Sequence, residues 1–327
     1  MELEKRKIVY NIISYVFTLI LLILVIRFFL TSKEIILIQK VGIFSVTISI
    51  MFALISYLLS GLQYSILVKQ YGIKLEKKDI IFLPIVMPLW SFIFPIQGSG
   101  IFFTLFLTRK YKIKVVESLS TTIFLYLLVL FYGGIFGTIF CLYYKIFSLF
   151  TFISLFLLLI PLFIIITNMI LILLPNLNNM YIHGIISFIK NLIKILALRF
   201  IDYKNSLIIL FISIIQMIVN TFWCLWISTD LGYNNPTFVS LIVLVNWMQI
   251  SLVIRFTPNN LGISQIISGA LFSLMSIAPE QGIMISLIST VTCTIIALTL
   301  GVVFNFYYMR KLDIHMSQKA LSQKVGE

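Results

Sequence analysis

The sequence predicts an all-α polytopic membrane protein: six full spans plus two oppositely oriented re-entrant helical hairpins in an inverted repeat. Composition is the first observation. The 327 residues are 61% hydrophobic and 11% charged, with mean hydropathy +1.11, whereas soluble domains carry roughly a quarter charged residues. Second, apolar runs long enough to cross a hydrocarbon core of about 30 Å recur along the chain. Third, two apolar stretches are broken alike, by Pro95-Ile96-Gln97-Gly98-Ser99-Gly100 and by Pro258-Asn259-Asn260-Leu261-Gly262. Pro removes a backbone donor and Gly tolerates φ > 0, so a helix stops and restarts there. In hydrocarbon such a break is tolerated only where it is buried in protein or lines a wet cavity.

The elements follow in order. Residues 1–7 are polar, and the apolar run 8–30 is too long for the core of a signal peptide, so it reads as a retained first span. The second span is 41–68. Residues 80–107 are split at the first break into arms too short to cross, which predicts a hairpin. Spans 115–142 and 147–174 follow. In 181–204, Lys190, Lys194 and Arg199 recur at helical spacing among Ile and Leu, which predicts an amphipathic helix along the cytoplasmic face. The span 205–229 leads to 237–278, split at the second break; its longer arms leave two tilted crossings as the alternative to a hairpin. The span 282–309 precedes a cytoplasmic tail, 311–327. The expected organisation is one integral domain, 1–310, with half one at 8–142 and half two at 147–309.

Charge orients this plan. With the N-terminus inside, 19 of the 24 basic residues fall in cytoplasmic segments, among them Lys69, Lys78, Arg109, Lys114, Lys204 and Arg310. Only Lys33, Lys40 and Lys145 fall outside, beside Glu34, Asp230 and Glu280; Arg27 and Arg255 stand within apolar sequence. The positive-inside rule therefore predicts both termini in the cytoplasm, and a prokaryotic cytoplasmic membrane is the expected location. The first hairpin then enters from inside and the second from outside, each half reading span, span, hairpin, span. Paired breaks of this kind point to a midplane binding site. The +13 charge is distributed for topology, so nucleic acid is not expected as a partner.

Arg255, three positions before Pro258, is the most informative single residue. A buried charge at membrane depth is expensive and usually faces a cavity and a partner. With no carboxylate nearby in sequence, an anionic ligand is one counter-charge; the alternative is an Arg that snorkels or caps the preceding half-helix. Thr257, Asn259, Asn260, Ser264, Gln265 and Ser268 add hydrogen-bonding groups at the second break, and Gln97, Ser99, Thr104 and Thr108 at the first. The substrate-binding candidates are Arg255, Thr257, Asn259, Asn260, Ser264, Gln265, Gln97, Ser99 and Thr104; the breaks are Pro95, Gly98, Gly100, Pro258 and Gly262. Asn220, Asn246, Gln249 and Asn305 either line a cavity or join helices. Trp90, Trp223, Trp226 and Trp247 read as interface belts or packing. Cys141, Cys224 and Cys293 read as small buried residues, and isolated His183 and His315 give no metal site, so no cofactor is expected.

At these residues the chain resembles the transmembrane region of lysylphosphatidylglycerol synthases, a group of flippase-like integral membrane proteins. Its late Pro-Gly-Gly-Leu-Gly-Val-Arg-Glu-like element is similar to Pro258-Asn259-Asn260-Leu261-Gly262-Ile263-Ser264-Gln265. Its earlier element resembles Pro95 to Gly100-Ile101-Phe102-Phe103-Thr104, and Glu117-Ser118-Leu119-Ser120-Thr121-Thr122 resembles the start of the following span. The likeness covers roughly 10–310. The family's charged positions are neutral here, at Ile101, Thr104, Ser264 and Gln265. No soluble aminoacyl-transfer domain follows residue 310, so lipid aminoacylation is not expected of this chain.

The resemblance implies a flippase-like transporter that moves an anionic phospholipid or lipid-linked glycan through a midplane cavity between the hairpins. Membrane lipid is then the partner, with envelope-biosynthesis enzymes as further candidates. The alternatives are a membrane glycosyltransferase or a non-transporting assembly factor in envelope polysaccharide or lipid biosynthesis. No catalytic constellation is visible: the first outer loop holds one acidic residue, Glu34, and Asp230 and Glu280 are the others outside, so an enzyme is not expected. A small-solute transporter is less favoured, because no intramembrane carboxylate stands out as a coupling site.

Overall fold

The computed structural model describes residues 42–94, 98–143, 145, 149–173, 180–253, 257 and 260–307. The predicted span 8–30 and the tail 311–327 lie outside them. Among the described residues the secondary structure is helical, without strands. In chain order the helices are α1 (Ile43–Lys69), α2 (Lys77–Ile93), α3 (Gly98–Lys110), α4 (Val115–Tyr143), α5 (Leu149–Leu158) and α6 (Ile160–Leu173). They continue with α7 (Met180–Ile201), α8 (Tyr203–Asp230), α9 (Phe238–Ser251), α10 (Ile263–Leu274) and α11 (Pro279–Tyr307). The last contains a π-helical turn at Ala297–Gly301.

Helices α1, α4, α8 and α11 are each long and apolar enough to cross a membrane, and they coincide with four predicted spans. The predicted span 147–174 is instead a broken pair, with α5 and α6 bent by 47°. Pro161 explains the break: it offers no N–H to the preceding turn, and its ring displaces the backbone there. The spans are inside-out relative to a soluble helix. On α1 the buried face carries Ser45, Ser49, Ser56 and Gln63, while Phe44, Met51, Ile55 and Leu62 are exposed. In lipid, apolar groups gain nothing by leaving the surface, so small and polar residues decide which face is inward.

Each broken segment folds as a helical hairpin. At one end α2 stops at Phe94, held extended (φ −122°, ψ 90°) as expected for a residue before proline. At the other, Lys110 closing α3 reaches back to Glu76 (3.1 Å) and Asp79 at the start of α2. The second hairpin is closed at its tip: Asn260, with φ 60°, donates to Ser251 (2.6 Å) and Ser264 (2.9 Å). Its arms are 14 and 12 residues, against 17 and 13 in the first. The expectation of longer arms is thus corrected. The helix ends at Ser251, restarts after Gly262 at φ 90°, and stops again before Ser276, another positive-φ turn at 58°. At about 1.5 Å per residue neither arm reaches 30 Å.

One long helix from each predicted half packs antiparallel to the other. Along the seam between α1 and α8, Ser45 meets Trp226 (3.1 Å), Gln63 meets Ser213 (3.0 Å) and Gln70 meets Asp202 (3.3 Å). As numbers rise on α1 they fall on α8, so these equivalent helices run antiparallel. The hairpins are exchanged as well. Trp90 of α2 donates to Asn305 of α11 (3.0 Å), and Tyr132 of α4 donates to Gln249 of α9. Each hairpin's first arm is thereby bonded to the last long helix of the opposite half. Helix α7 occupies the predicted linker and packs on α4, α6 and α8.

Candidate functional site

A cavity of about 300 Å³ lies where the hairpin tips meet the long helices. Ser99, at the start of α3, and Ser264, at the start of α10, bring one polar group from each hairpin to its wall. The floor of polarity comes from the seam: Ser56, Ser60 and Gln63 of α1 face Ser213, Gln216 and Asn220 of α8. Gln216 Nε2 donates to Ser60 Oγ (2.9 Å), Ser56 Oγ (3.0 Å) and the Ser56 carbonyl (3.2 Å), while Gln63 Nε2 approaches Gln216 Oε1 at 3.4 Å. Aromatic residues Tyr57, Tyr64, Tyr126, Tyr132 and Trp223 form much of the remaining wall. From the second half, Gln249, Ser289, Thr290 and Cys293 complete it.

The positions of these groups follow from helix periodicity. On α8 the cavity residues Ser213, Gln216, Asn220 and Trp223 are spaced to one face, as are Ser56, Ser60 and Gln63 on α1. Pro84 and Pro88 lie inside α2 and also line the cavity. Pro84 frees the Ile80 carbonyl from the helix ladder, and Gly61 of α1 lies against it: a Cβ there would sit 1.9 Å from that oxygen. This close approach seats the first hairpin against the seam.

The residues singled out in the sequence divide into groups. Ser99 and Ser264 line the cavity, and Asn260 braces Ser264 from behind. Gln265 serves the backbone instead. Its Oε1 accepts from the Gly262 N–H (2.6 Å), capping α10, and its Nε2 donates to Thr290 (3.2 Å) on α11. Thr257 and Thr104 are off the wall, and their hydroxyls have no hydrogen-bond partner among the described residues. Gly98 is buried so closely that a Cβ would meet the Trp90 carbonyl at 2.1 Å; Gly100 is buried on the same turn. Arg255, Asn259, Gln97, Pro95 and Pro258 lie outside the described residues.

Of the amides left with two readings, Asn220 and Gln249 line the cavity. Asn305 joins helices through Trp90, and Asn246 through the Gly133 carbonyl (3.3 Å). Trp223 packs in the core, one of the two readings given for the tryptophans, and also borders the cavity. Sequence reasoning missed Gln63, Gln216 and the serines of α1. The signal was there in their three- and four-residue spacing through apolar helices.

The described charged residues gather away from the cavity. At the base of the first hairpin, fully buried Asp79 accepts from Lys110 and Tyr111. Glu76 beside it accepts from Lys78 (2.9 Å) and Lys110, which hold its carboxyl down at about 2. Burial, then its bond to Asp79, pushes the Tyr111 hydroxyl up. Arg199 departs from its predicted place on a polar helix face. It is buried, its guanidinium packed against Tyr71 (5.1 Å) and Phe124 (5.6 Å) and donating to Thr121 (3.0 Å) and Tyr71. Desolvation is offset there by ring faces and hydroxyls, and the side chain bolts α7 to α4.

Several long apolar helices, packed around a cavity with amides and hydroxyls on its wall, define a multi-pass membrane protein. The sequence profile described as the lysylphosphatidylglycerol synthase TM region matches residues 11–301, and the chain belongs to that family. Comparison with curated proteins and with solved structures found no match.

Proposed function

We propose that this protein is a flippase-like transporter that carries the head group of a membrane lipid, an anionic phospholipid or a lipid-linked glycan, from one leaflet to the other. The observation that carries the reading is the cavity itself: a largely apolar pocket crossed by a band of amides and hydroxyls from α1 and α8, with Ser99 and Ser264, one from each hairpin, on its wall. The antiparallel halves supply a means of alternating exposure, since a motion that opens one hairpin base has a mirror counterpart at the other. The polar seam of α1 and α8 lies between them and offers hydrogen bonds to replace water around a head group in transit. The first hairpin enters from the cytoplasmic side of the cell membrane and the second from outside, with both chain termini in the cytoplasm.

The test is translocation in proteoliposomes. Fluorescent lipids placed in the inner leaflet become accessible to a membrane-impermeant quencher when they cross. Wild-type protein accelerates this step, and Gln216→Leu slows it toward the protein-free rate. Wild type indistinguishable from empty liposomes across anionic and glycosylated lipids overturns the proposal.

A further inference from the structure

We propose that the head group received by this cavity is uncharged and rich in hydroxyls, the glycosyl group of a glycosyl-diacylglycerol, in preference to an anionic phosphate. This narrows the lipid-translocation reading and rests on its premise that a lipid head group occupies the cavity.

The first argument is charge. No Asp, Glu, Lys, Arg or His is among the described residues lining the cavity. The nearest described charge clusters are elsewhere in structural use: Lys110 answers Asp79 and Glu76, and Arg199 is packed on Tyr71 and Phe124. An anion drawn into such a wall would lose its hydration and meet no described counter-charge, which is costly at low dielectric.

The second argument is the kind of hydrogen bonding offered. The wall is largely apolar, and the polar groups set in it are amides and hydroxyls, each able to donate and to accept, as sugar hydroxyls do. Two of its groups await partners. Trp223 is 5% exposed and its Nε1–H has none among the described residues; on the same helix face, Asn220 Oδ1 also has none. A buried donor and a buried acceptor left open three residues apart on α8 cost stability unless a ligand or water satisfies them. Both atoms are closed off beneath the wall surface, and hydroxyls admitted by a small opening of the wall would accept from the one and donate to the other. The tyrosine and tryptophan rings add apolar faces of the kind that cover the C–H face of a pyranose.

Size is the third. About 300 Å³ is at the small end of ligand cavities, so it suits one or two sugar units.

Native mass spectrometry of the detergent-purified full chain tests this without requiring transport. Monoglucosyl-diacylglycerol and phosphatidylglycerol with identical acyl chains are offered at equal concentration. The expected result is preferential retention of the glycolipid, reduced about tenfold by Trp223→Phe or Gln216→Leu. Trp223→Phe keeps an aromatic ring but removes the N–H together with the pyrrole half of the indole, so its thermal unfolding, like that of Gln216→Leu, is measured alongside to separate lost binding from lost fold. Equal retention, or preference for phosphatidylglycerol that Arg255→Gln abolishes, overturns the proposal. Excess methyl glucoside leaves the glycolipid bound; displacement by it would assign the cavity to a soluble sugar and also overturn the proposal. The same two lipids in the quenching assay separate the failures. Glycolipid bound but not moved sinks the translocation reading alone, whereas phosphatidylglycerol moved and glycolipid left in place sinks this inference alone.

Discussion

Gln216 does more than any other side chain to join the two halves, because one amide from α8 reaches two serines and a carbonyl on α1. Gln216→Leu should therefore destabilise the fold only modestly, by about 0.6–1.7 kcal/mol, the range of interhelical hydrogen bonds in membranes. Thermal unfolding in detergent checks that figure, and a far larger loss would make Gln216 a structural residue first. Glu76 offers a test by pH. Its carboxyl is held at about 2 against an ordinary 4.5, so its contribution is complete above 4.5 and is lost as pH falls toward 2. Unfolding temperatures measured over that window should decline, and Glu76→Gln should remove that part of the decline. The effect is small, since the side chain is 45% exposed and solvent screens the pair. Not every such residue was legible in the sequence. Ser99 and Ser264 stood out because they flank breaks; Gln216 did not, since a lone amide in an apolar helix reads equally as cavity wall or as helix glue. Its stripe of neighbours, Ser213, Asn220 and Trp223, is what resolves the choice.

At the scale of elements, Pro and Gly mark the breaks, yet packing decides how each is used. Proline ends α2 at Phe94 but bends the α5–α6 pair by 47° at Pro161, and two further prolines sit inside α2 without ending it. Helix α2 tolerates Pro84 because the carbonyl it frees lies against Gly61. Gly61→Val should separate α1 from α2 and lower both thermal stability and translocation; unchanged stability would show that the close approach is not needed. Gly262 differs, since its constraint is conformational. At φ 90° an alanine is strained by about 1–2 kcal/mol, and Gly262→Ala should weaken the restart of α10 by that amount in unfolding measurements. Arg199 shows why the linker was legible only in part. Helical spacing of basic residues predicts a helix, and α7 is one. Spacing does not reveal that ring faces from Tyr71 and Phe124 await one of those charges.

For the whole molecule, opposed hairpins and basic-residue counting gave an inverted plan, and the antiparallel contact of α1 with α8 agrees with it. Which helices would meet was not readable, because pairing in lipid is settled by small and polar faces that look alike along several spans. That seam now permits a decisive test of mechanism. Gln70 and Asp202 are bonded at one end of it, and Gln63 and Ser213 about two turns further in. With Cys141, Cys224 and Cys293 replaced, the pair Gln63→Cys with Ser213→Cys should cross-link on mild oxidation. So should Gln70→Cys with Asp202→Cys, while mixed pairs such as Gln63→Cys with Asp202→Cys should not. If lipid passage needs the halves to rock about this seam, a bond at its end should arrest translocation and reductant should restore it. A bond two turns further in, where the halves would separate less, should slow translocation less. Full transport by the end-linked protein would mean that the halves do not separate there, and that hairpin movement alone opens the cavity.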